Sequence, residues 1–338
     1  MKDIRYLTDH FEEKIKRIND LDAELNFVFI TDQHHNLMRF ATGGEEGKYE
    51  DGLAHVEAIR YILERCPKIQ CVISGGDIGE DYNPDPDAIR ATLKEITDAL
   101  YSLPVPVHCI IGNHDDALGV STSRGWDNTK YAILPDEMHE LCMRNNPTDK
   151  NYYYIDLDEQ DYRFIFLNTS DKPYIIDPKT GQYPFGWRLE ISNEQAIWFE
   201  KEALATDRNI IVFAHSPIHN DGYYGTENPP VGIKPYDDLL NGPRVYYHLK
   251  QKENVVAMIY GHVHFDNMVI DDGIIGVTTL CDMYQKWAPS CPDRKLGDIT
   301  ETAFDVFSLK KNMMYITRFG AGCDRMTVMP RHKYKAMK

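Results

Sequence analysis

Six short apolar runs rich in β-branched residues punctuate the chain: NFVFITD (26–32), IQCVISGGD (69–77), VHCIIGNHD (107–115), FIFLNTS (164–170), NIIVFAHS (209–216) and VVAMIYGHVH (255–264). Each ends at Gly, Asn, Asp, Ser or His and reads as a buried strand. Between several of them apolar residues recur at three- and four-residue spacing, which predicts helices over 53–66, 87–103 and 192–206. The last opens with Ser192 and carries Gln195 three residues on, the pattern of a capping box. Strand and helix in alternation predict an α/β fold. After about residue 265 the helical spacing stops, and MVIDDGIIGVTTL, TAFDVFSLKK and MMYITRFGA read as hairpin strands with turns at 271–273 and 310–312. A mixed sheet, or a second sheet packed on the first, is expected rather than a purely parallel one.

No repeat and no low-complexity linker divides the chain. Residues 1–25, charged and helix-patterned, are expected to form an N-terminal helical extension to a single domain spanning 26–330, with a tail at 331–338. That domain carries insertions at 116–156 and 217–250 and a β-rich part at 265–322. A chain of 338 residues, 42% hydrophobic and 11% aromatic, is long enough and apolar enough to bury a large core. The formal net charge of −16 repels a polyanion, so an extended nucleic-acid footprint is disfavoured while a small phosphorylated substrate stays open. Seven widely spaced cysteines without a CxxC pair read as reduced thiols. With no apolar leader and no long apolar window, they predict a cytoplasmic protein that does not enter the membrane.

Chemistry enters at the strand ends. Five of the six runs finish on groups that bind metals: Asp32 and His34, then Asp77, then Asn113 beside His114, then His215, then His262 and His264. In open α/β sheets the carboxyl ends of strands converge on one crevice, so ligands far apart in sequence can meet. Asp-x-His at 32/34 and His-x-His at 262/264 would place two donors on one side of an extended segment, each pair gripping one ion. Any one of these elements alone could be a turn or a core histidine. Their order and shared position argue for a site.

The ordered set TDQH (31–34), GGD (75–77), GNHD (112–115), AHSP (214–217) and GHVH (261–264) resembles the calcineurin-like metallophosphoesterases over residues 26–264. The resemblance implies a four-layer αββα sandwich of two mixed β-sheets flanked by helices. It implies one metal on Asp32, His34, Asp77 and His264 and a second on Asp77, Asn113, His215 and His262. Asp77 would bridge the two at the ~3.5–4 Å separation of two-metal hydrolases. Mixed imidazole and carboxylate ligands suit manganese, iron or zinc better than magnesium or calcium. The implied activity is hydrolysis of a phosphomonoester or phosphodiester, by in-line attack of a metal-bridging hydroxide. His114, next to the ligand Asn113, is the expected proton donor to the leaving group, with Glu80 or Asp115 as its acidic partner.

The sequence also departs from two branches of that family. Phosphoprotein phosphatases follow the acid at the Glu80 position with a phosphate-clamping arginine, where this chain has Asp81; purple acid phosphatases carry a tyrosine ligand at the Glu80 position. A phosphate clamp must then come from elsewhere, and Arg124 and Arg318 are the candidates. His219, in the long Gly/Pro/Asn-rich loop 215–235, is a further candidate substrate contact. Substrate choice is expected from the two insertions and from Tyr183, Phe185 and Trp187, and the tyrosines at 152–154 are expected to pack a strand. A nuclease or cyclic-nucleotide phosphodiesterase, and a non-catalytic scaffold of the same fold, are the alternatives. The acidic balance weighs against the first, and the complete ligand set plus His114 weighs against the second.

Overall fold

Strand β1 (Leu25–Ile30) is buried at every position, as an unbroken apolar run requires of a strand covered on both faces. It is the pivot of the first of two mixed sheets in the computed structural model, which describes residues 3–36, 51–218, 239–283 and 291–333. On one side β1 pairs in parallel with β2 (Cys71–Ser74), and β2 pairs in parallel with β3 (Val107–Cys109). On the other side it meets an antiparallel meander of β12 (Ala303–Lys310), β13 (Met313–Gly320) and β14 (Arg325–Val328). The second sheet runs β10 (Asn267–Asp271), β11 (Ile274–Thr278), β9 (Val255–Tyr260), β7 (Asn209–Ala214), β5 (Tyr162–Leu167), β4 (Tyr153–Leu157). Strands β5, β7, β9 and β11 are parallel, and the two edges are antiparallel, while β6 (Leu189–Glu190) and β8 (Leu239–Leu240) form a separate parallel pair.

Side-chain alternation decides how the sheets stack. Phe164, Phe166, Ile211, Phe213 and Ile259 point into a core shared with Phe27, Phe29 and Phe307 of the first sheet. The Phe27 ring centroid lies 5.2 Å from that of Phe164 and 5.6 Å from that of Phe213. The intervening residues Ile165, Leu167, Ile210, Val212 and Tyr260 point the other way, as a period of two demands. They pack against Ala196 of α8 (Asn193–Trp198), Phe199 and Ala203 of the π-helical turn that continues it, and Val245 and Leu249 of α9 (Gly242–Lys250). Helices α3 (Gly52–Leu63) and α4 (Pro86–Tyr101) cover the first sheet through Ile59, Ile62, Leu93 and Ile96. The result is the four-layer αββα sandwich. Leu7 of α1 (Arg5–Thr8), Phe11, and Ile15 and Ile18 of α2 (Glu12–Leu21) insert into the same core, Phe11 lying edge-on to Phe319 at 4.8 Å.

Several local readings changed. Ser192 caps α8 by accepting the Gln195 N–H, but the Gln195 amide bonds both backbone groups of Asn168 rather than returning to the cap. The turn between β10 and β11 carries two successive left-handed residues, Asp272 (φ 52°) and Gly273 (φ 78°), the backbone of a type I′ hairpin. The 116–156 insertion holds three short helices that the sequence pattern did not show: α5 (Leu118–Ser123), α6 (Asn128–Tyr131) and α7 (Pro135–Cys142). All seven cysteines are free thiols. No described helix is long and apolar enough to cross a membrane.

One buried ionic cluster ties the C-terminal strands to the loop after β1. His55 of α3 lies 2.6 Å from Asp282 and 3.4 Å from Glu301, all three buried. The backbone N–H groups of Asp282 and Met283 donate to the carbonyls of Thr31 and Asp32. Against the cost of burial, Asp282 and then Glu301 hold the His55 ring up to about 10. A histidine raised on folding stabilises the native state fully below its unfolded pKa, near 6.5, and loses that contribution as pH rises through the folded value. The urea midpoint is therefore expected to fall between pH 7 and pH 10, and His55→Gln should flatten that fall; an identical slope in wild type and variant would contradict it.

Candidate metal centre

Strands β1, β2, β3, β7 and β9 end on a common rim, and the polar residues sit in the turns beyond them. Five of these residues have left-handed backbones: Asp32 (φ 53°), His34 (φ 43°), Asp77 (φ 51°), His262 (φ 66°) and His264 (φ 58°). Such angles are uncommon for residues other than glycine, and groups of them mark sites where the surroundings enforce a strained shape. The expectation of extended Asp-x-His and His-x-His segments is thus corrected, because turns and not pleats aim these side chains. The His-x-His pair also divides instead of facing one way. The ligand atoms of Asp32, His34, Asp77 and His264 lie within 4.8 Å of one another, whereas His262 groups with Asp77 and His215.

Backbone contacts hold the turns together at close range. Asp32 N–H donates to Gly76 O at 2.9 Å and His34 N–H to Asp77 O at 3.0 Å. A Cβ on Gly112 would come 2.1 Å from Asp77 Oδ1, and one on Gly261 would come 2.0 Å from Thr31 Oγ1. Those glycines let neighbouring turns touch the carboxylates. The Asp32 carboxylate accepts the Thr31 hydroxyl at 2.7 Å and the His262 N–H at 3.0 Å, while Asp77 Oδ1 accepts the His114 N–H at 2.8 Å.

What converges at the centre is mostly acceptor atoms. The His215 Nδ1–H donates to Gly75 O at 2.8 Å, which turns Nε2 toward Asp77 Oδ2 and Asn113 Oδ1, each at 3.1 Å. The His34 ring is buried with no hydrogen bond at either nitrogen; Nε2 stands 3.7 Å from Asp77 and Nδ1 3.8 Å from Glu80. Buried acceptors without donors are costly, and a cation resolves both arrangements. The field points the same way. Burial opposes charge throughout, yet His264 and His215 hold Asp32 down to about 2, and His215 and His114 hold Asp77 well below the carboxylate range. Asp77 and Asp32 hold His215 up to about 9, so that without an ion its Nε2 keeps a proton toward Asp77, in the place a metal cation would take. Burial, then His114, keeps His34 neutral, and burial, then His215, pushes His262 down to about 3. These donors fit divalent ions of the manganese, iron and zinc group.

His114 sits at the edge of this cluster with its ring partly open to solvent, and its Nδ1 lies 2.8 Å from Asp81 Oδ1. Burial opposes protonation, but Asp81 and then Asp77 hold the ring up to about 10. The closest acidic partner is thus Asp81. Glu80 accepts the backbone N–H groups of Asp81 and Tyr82, and its carboxylate lies within 4.8 Å of ring nitrogens of both His34 and His114. Asp115 accepts the N–H groups of Asp77, Ile78 and Gly112 at 2.7–3.0 Å, clamping the turns after β2 and β3. Sequence reading missed Asp81, although an acid where relatives carry arginine was its signal.

The arginine candidates separate. Arg318 is corrected from phosphate clamp to core residue: fully buried in β13, it bonds Asp305, Asp266 and the Ala321 carbonyl with all its N–H groups. Arg124 is exposed at the end of α5, its guanidinium 5.4 Å over the Tyr82 ring. Of the aromatics, Trp187 reaches the site, edge-on to His114 at 4.9 Å, and Tyr183 packs on Tyr174 at 6.4 Å. Tyr153 is buried in β4 as expected. His219 lies outside the described residues.

Comparisons with known proteins agree with this geometry. Manganese-dependent ADP-ribose/CDP-alcohol diphosphatases are similar to the chain: that of Danio rerio is 20% identical over 64% of this chain and 74% of its own length. That of Bos taurus is 26% identical over 52% of this chain and 61% of its own length. A dimetal phosphatase structure from Danio rerio superposes with a TM-score of 0.59 at 17% identity, covering 91% of this chain and all of its own. GAP50, the anchor in the inner membrane complex of Plasmodium, superposes with a TM-score of 0.54 at 15% identity, covering 92% and 90% of the two chains. The family model of the calcineurin-like phosphoesterases matches residues 25–266. This chain therefore belongs to the calcineurin-like phosphoesterase family, and it is a metal-dependent hydrolase of phosphoric ester bonds.

Proposed function

We propose that this hydrolase cleaves the diphosphate linkage of a small nucleotide-like substrate, using two divalent ions with manganese as the working metal. The observation that carries the reading is the set of acceptor atoms facing one another around Asp77, with the His114–Asp81 pair at its edge. The relatives' named activity supports the substrate class. Asp32, His34, Asp77 and His264 would hold one ion, and Asp77, Asn113, His215 and His262 the other. Bound there, the ions supply Lewis-acid polarisation of the phosphoryl group and an acidified water at neutral pH. The chain's own residues do the rest. Gly75 O fixes the His215 tautomer, so that Nε2 presents its lone pair to the centre. Asp81 fixes His114 through Nδ1, which leaves Nε2–H to protonate the departing oxygen. Seven free thiols and an acidic surface fit work on small solutes in the cytoplasm.

The test is a substrate panel on the manganese-loaded protein: ADP-ribose, a CDP-alcohol, 4-nitrophenyl phosphate and bis(4-nitrophenyl) phosphate. The diphosphates are expected to show kcat/KM at least about tenfold above the aryl monoester, a difference of about 1.4 kcal/mol in transition-state binding. Turnover of the monoester without the diphosphates would overturn the substrate class. No turnover and no bound metal would favour a scaffold.

A further inference from the structure

The mouth of the site holds an indole that the chemistry so far does not use. Trp187 is 41% exposed yet anchored on two sides. Its Nε1–H donates to Ser123 Oγ at 2.6 Å, and one face lies so close to Gly119 of α5 that a Cβ there would come 2.4 Å from the ring. Its edge meets the His114 ring at 4.9 Å, and on another side of His114 the Tyr82 ring stacks at 6.4 Å. Arg124 lies over Tyr82 and is paired with no carboxylate among the described residues. An exposed guanidinium over Tyr82, one residue along the chain from the Ser123 that anchors Trp187, on a chain of net charge −16, suits a planar and anionic group.

We propose that Trp187 and Arg124 form the leaving-group subsite, which takes the nucleoside monophosphate half of a nucleoside diphosphate ester. The inference rests on the function proposed above. Trp187 stacks the base, Arg124 binds the departing phosphate, and the contact of Trp187 with the proton donor His114 fixes which half departs. A water oxygen bonds to the phosphorus of the other half, and the bridging P–O bond breaks with its electron pair staying on the nucleotide. His114 gives that oxygen its proton, and a proton lost by the water restores the ring.

The experiment uses the full-length, manganese-loaded protein with ADP-ribose and a base-free analogue, a diphosphate joining two riboses. Trp187→Ala is expected to lower the ratio of kcat/KM between ADP-ribose and the analogue by roughly tenfold, and Trp187→Phe to recover most of it. Arg124→Gln should raise KM for both diphosphates more than for bis(4-nitrophenyl) phosphate, whose leaving group carries no phosphate. In water enriched in oxygen-18, label should enter the ribose phosphate and not the AMP. An unchanged discrimination ratio in a folded Trp187→Ala protein, or label in the AMP, overturns the subsite while leaving the diphosphatase reading intact. Wild-type protein that fails to cleave either diphosphate overturns that underlying reading instead.

Discussion

His114→Ala is expected to slow turnover of an alkyl phosphate ester, whose departing alkoxide needs a proton, by roughly 10²–10⁴-fold, the range that a positioned general acid contributes. It should slow a diphosphate less, because a departing phosphate titrates at about 6. The same variant should lose far less on an aryl ester, because a nitrophenolate departs without a proton. The argument rests on placement. His114 borders the acceptor cluster, its backbone N–H is bound by Asp77, and its ring is oriented by a buried carboxylate. Orientation gives a second arm. Asp81→Asn keeps the shape but alters the ring's partner, and should cost on the order of tenfold or more, as loss of a histidine-orienting carboxylate does elsewhere. Glu80→Gln should change the dependence on leaving group less than Asp81→Asn does, since Asp81 makes the 2.8 Å contact with His114 Nδ1 and Glu80 is shared between His34 and His114. Equal losses on aryl and alkyl leaving groups in His114→Ala would remove His114 from the proton-transfer step.

Much of this site was legible from the chain because it follows from topology. Parallel strands in a layered α/β fold send their carboxyl ends to one side, so polar residues closing successive apolar runs had to approach one another. The left-handed backbones at Asp32, His34, Asp77, His262 and His264 were not legible. Aspartate and histidine tolerate such angles without announcing them, and Gly112 and Gly261 allow the turns of Asp77 and Asp32 to come this close to their neighbours. The split of His262 from His264 follows from those turns.

Two misplacements have different causes. Asp81 was passed over because likeness to another branch drew attention to Glu80, one residue earlier. Arg318 could have been placed by counting along a hairpin. With the turn at Lys311 and Asn312, Lys310 pairs with Met313, and five steps further Asp305 pairs with Arg318. A buried strand position facing an aspartate is where an arginine becomes an ion-pair partner instead of a substrate contact. The tight seat of Trp187 against Gly119 depends on an approach of distant loops that no local pattern encodes.

Asp77→Asn should have the other large effect. Asp77 is common to two of the three groups of ligand atoms among the described residues, and its Oδ2 lies 3.1 Å from His215. Asparagine keeps the shape and an oxygen for the His114 N–H but removes the charge that draws cations in. Losing metal activation worth several kcal/mol lowers kcat/KM by about 10³-fold or more. The fold should persist, because the paired Phe layers hold the sheets together without this side chain.

The most direct measurement is the metal content of the protein after equilibration with manganese and removal of free ion. Two ions per wild-type chain are predicted, with that stoichiometry lost in Asp77→Asn. Wild-type protein that retains no metal, or a variant that keeps both ions, would contradict the account.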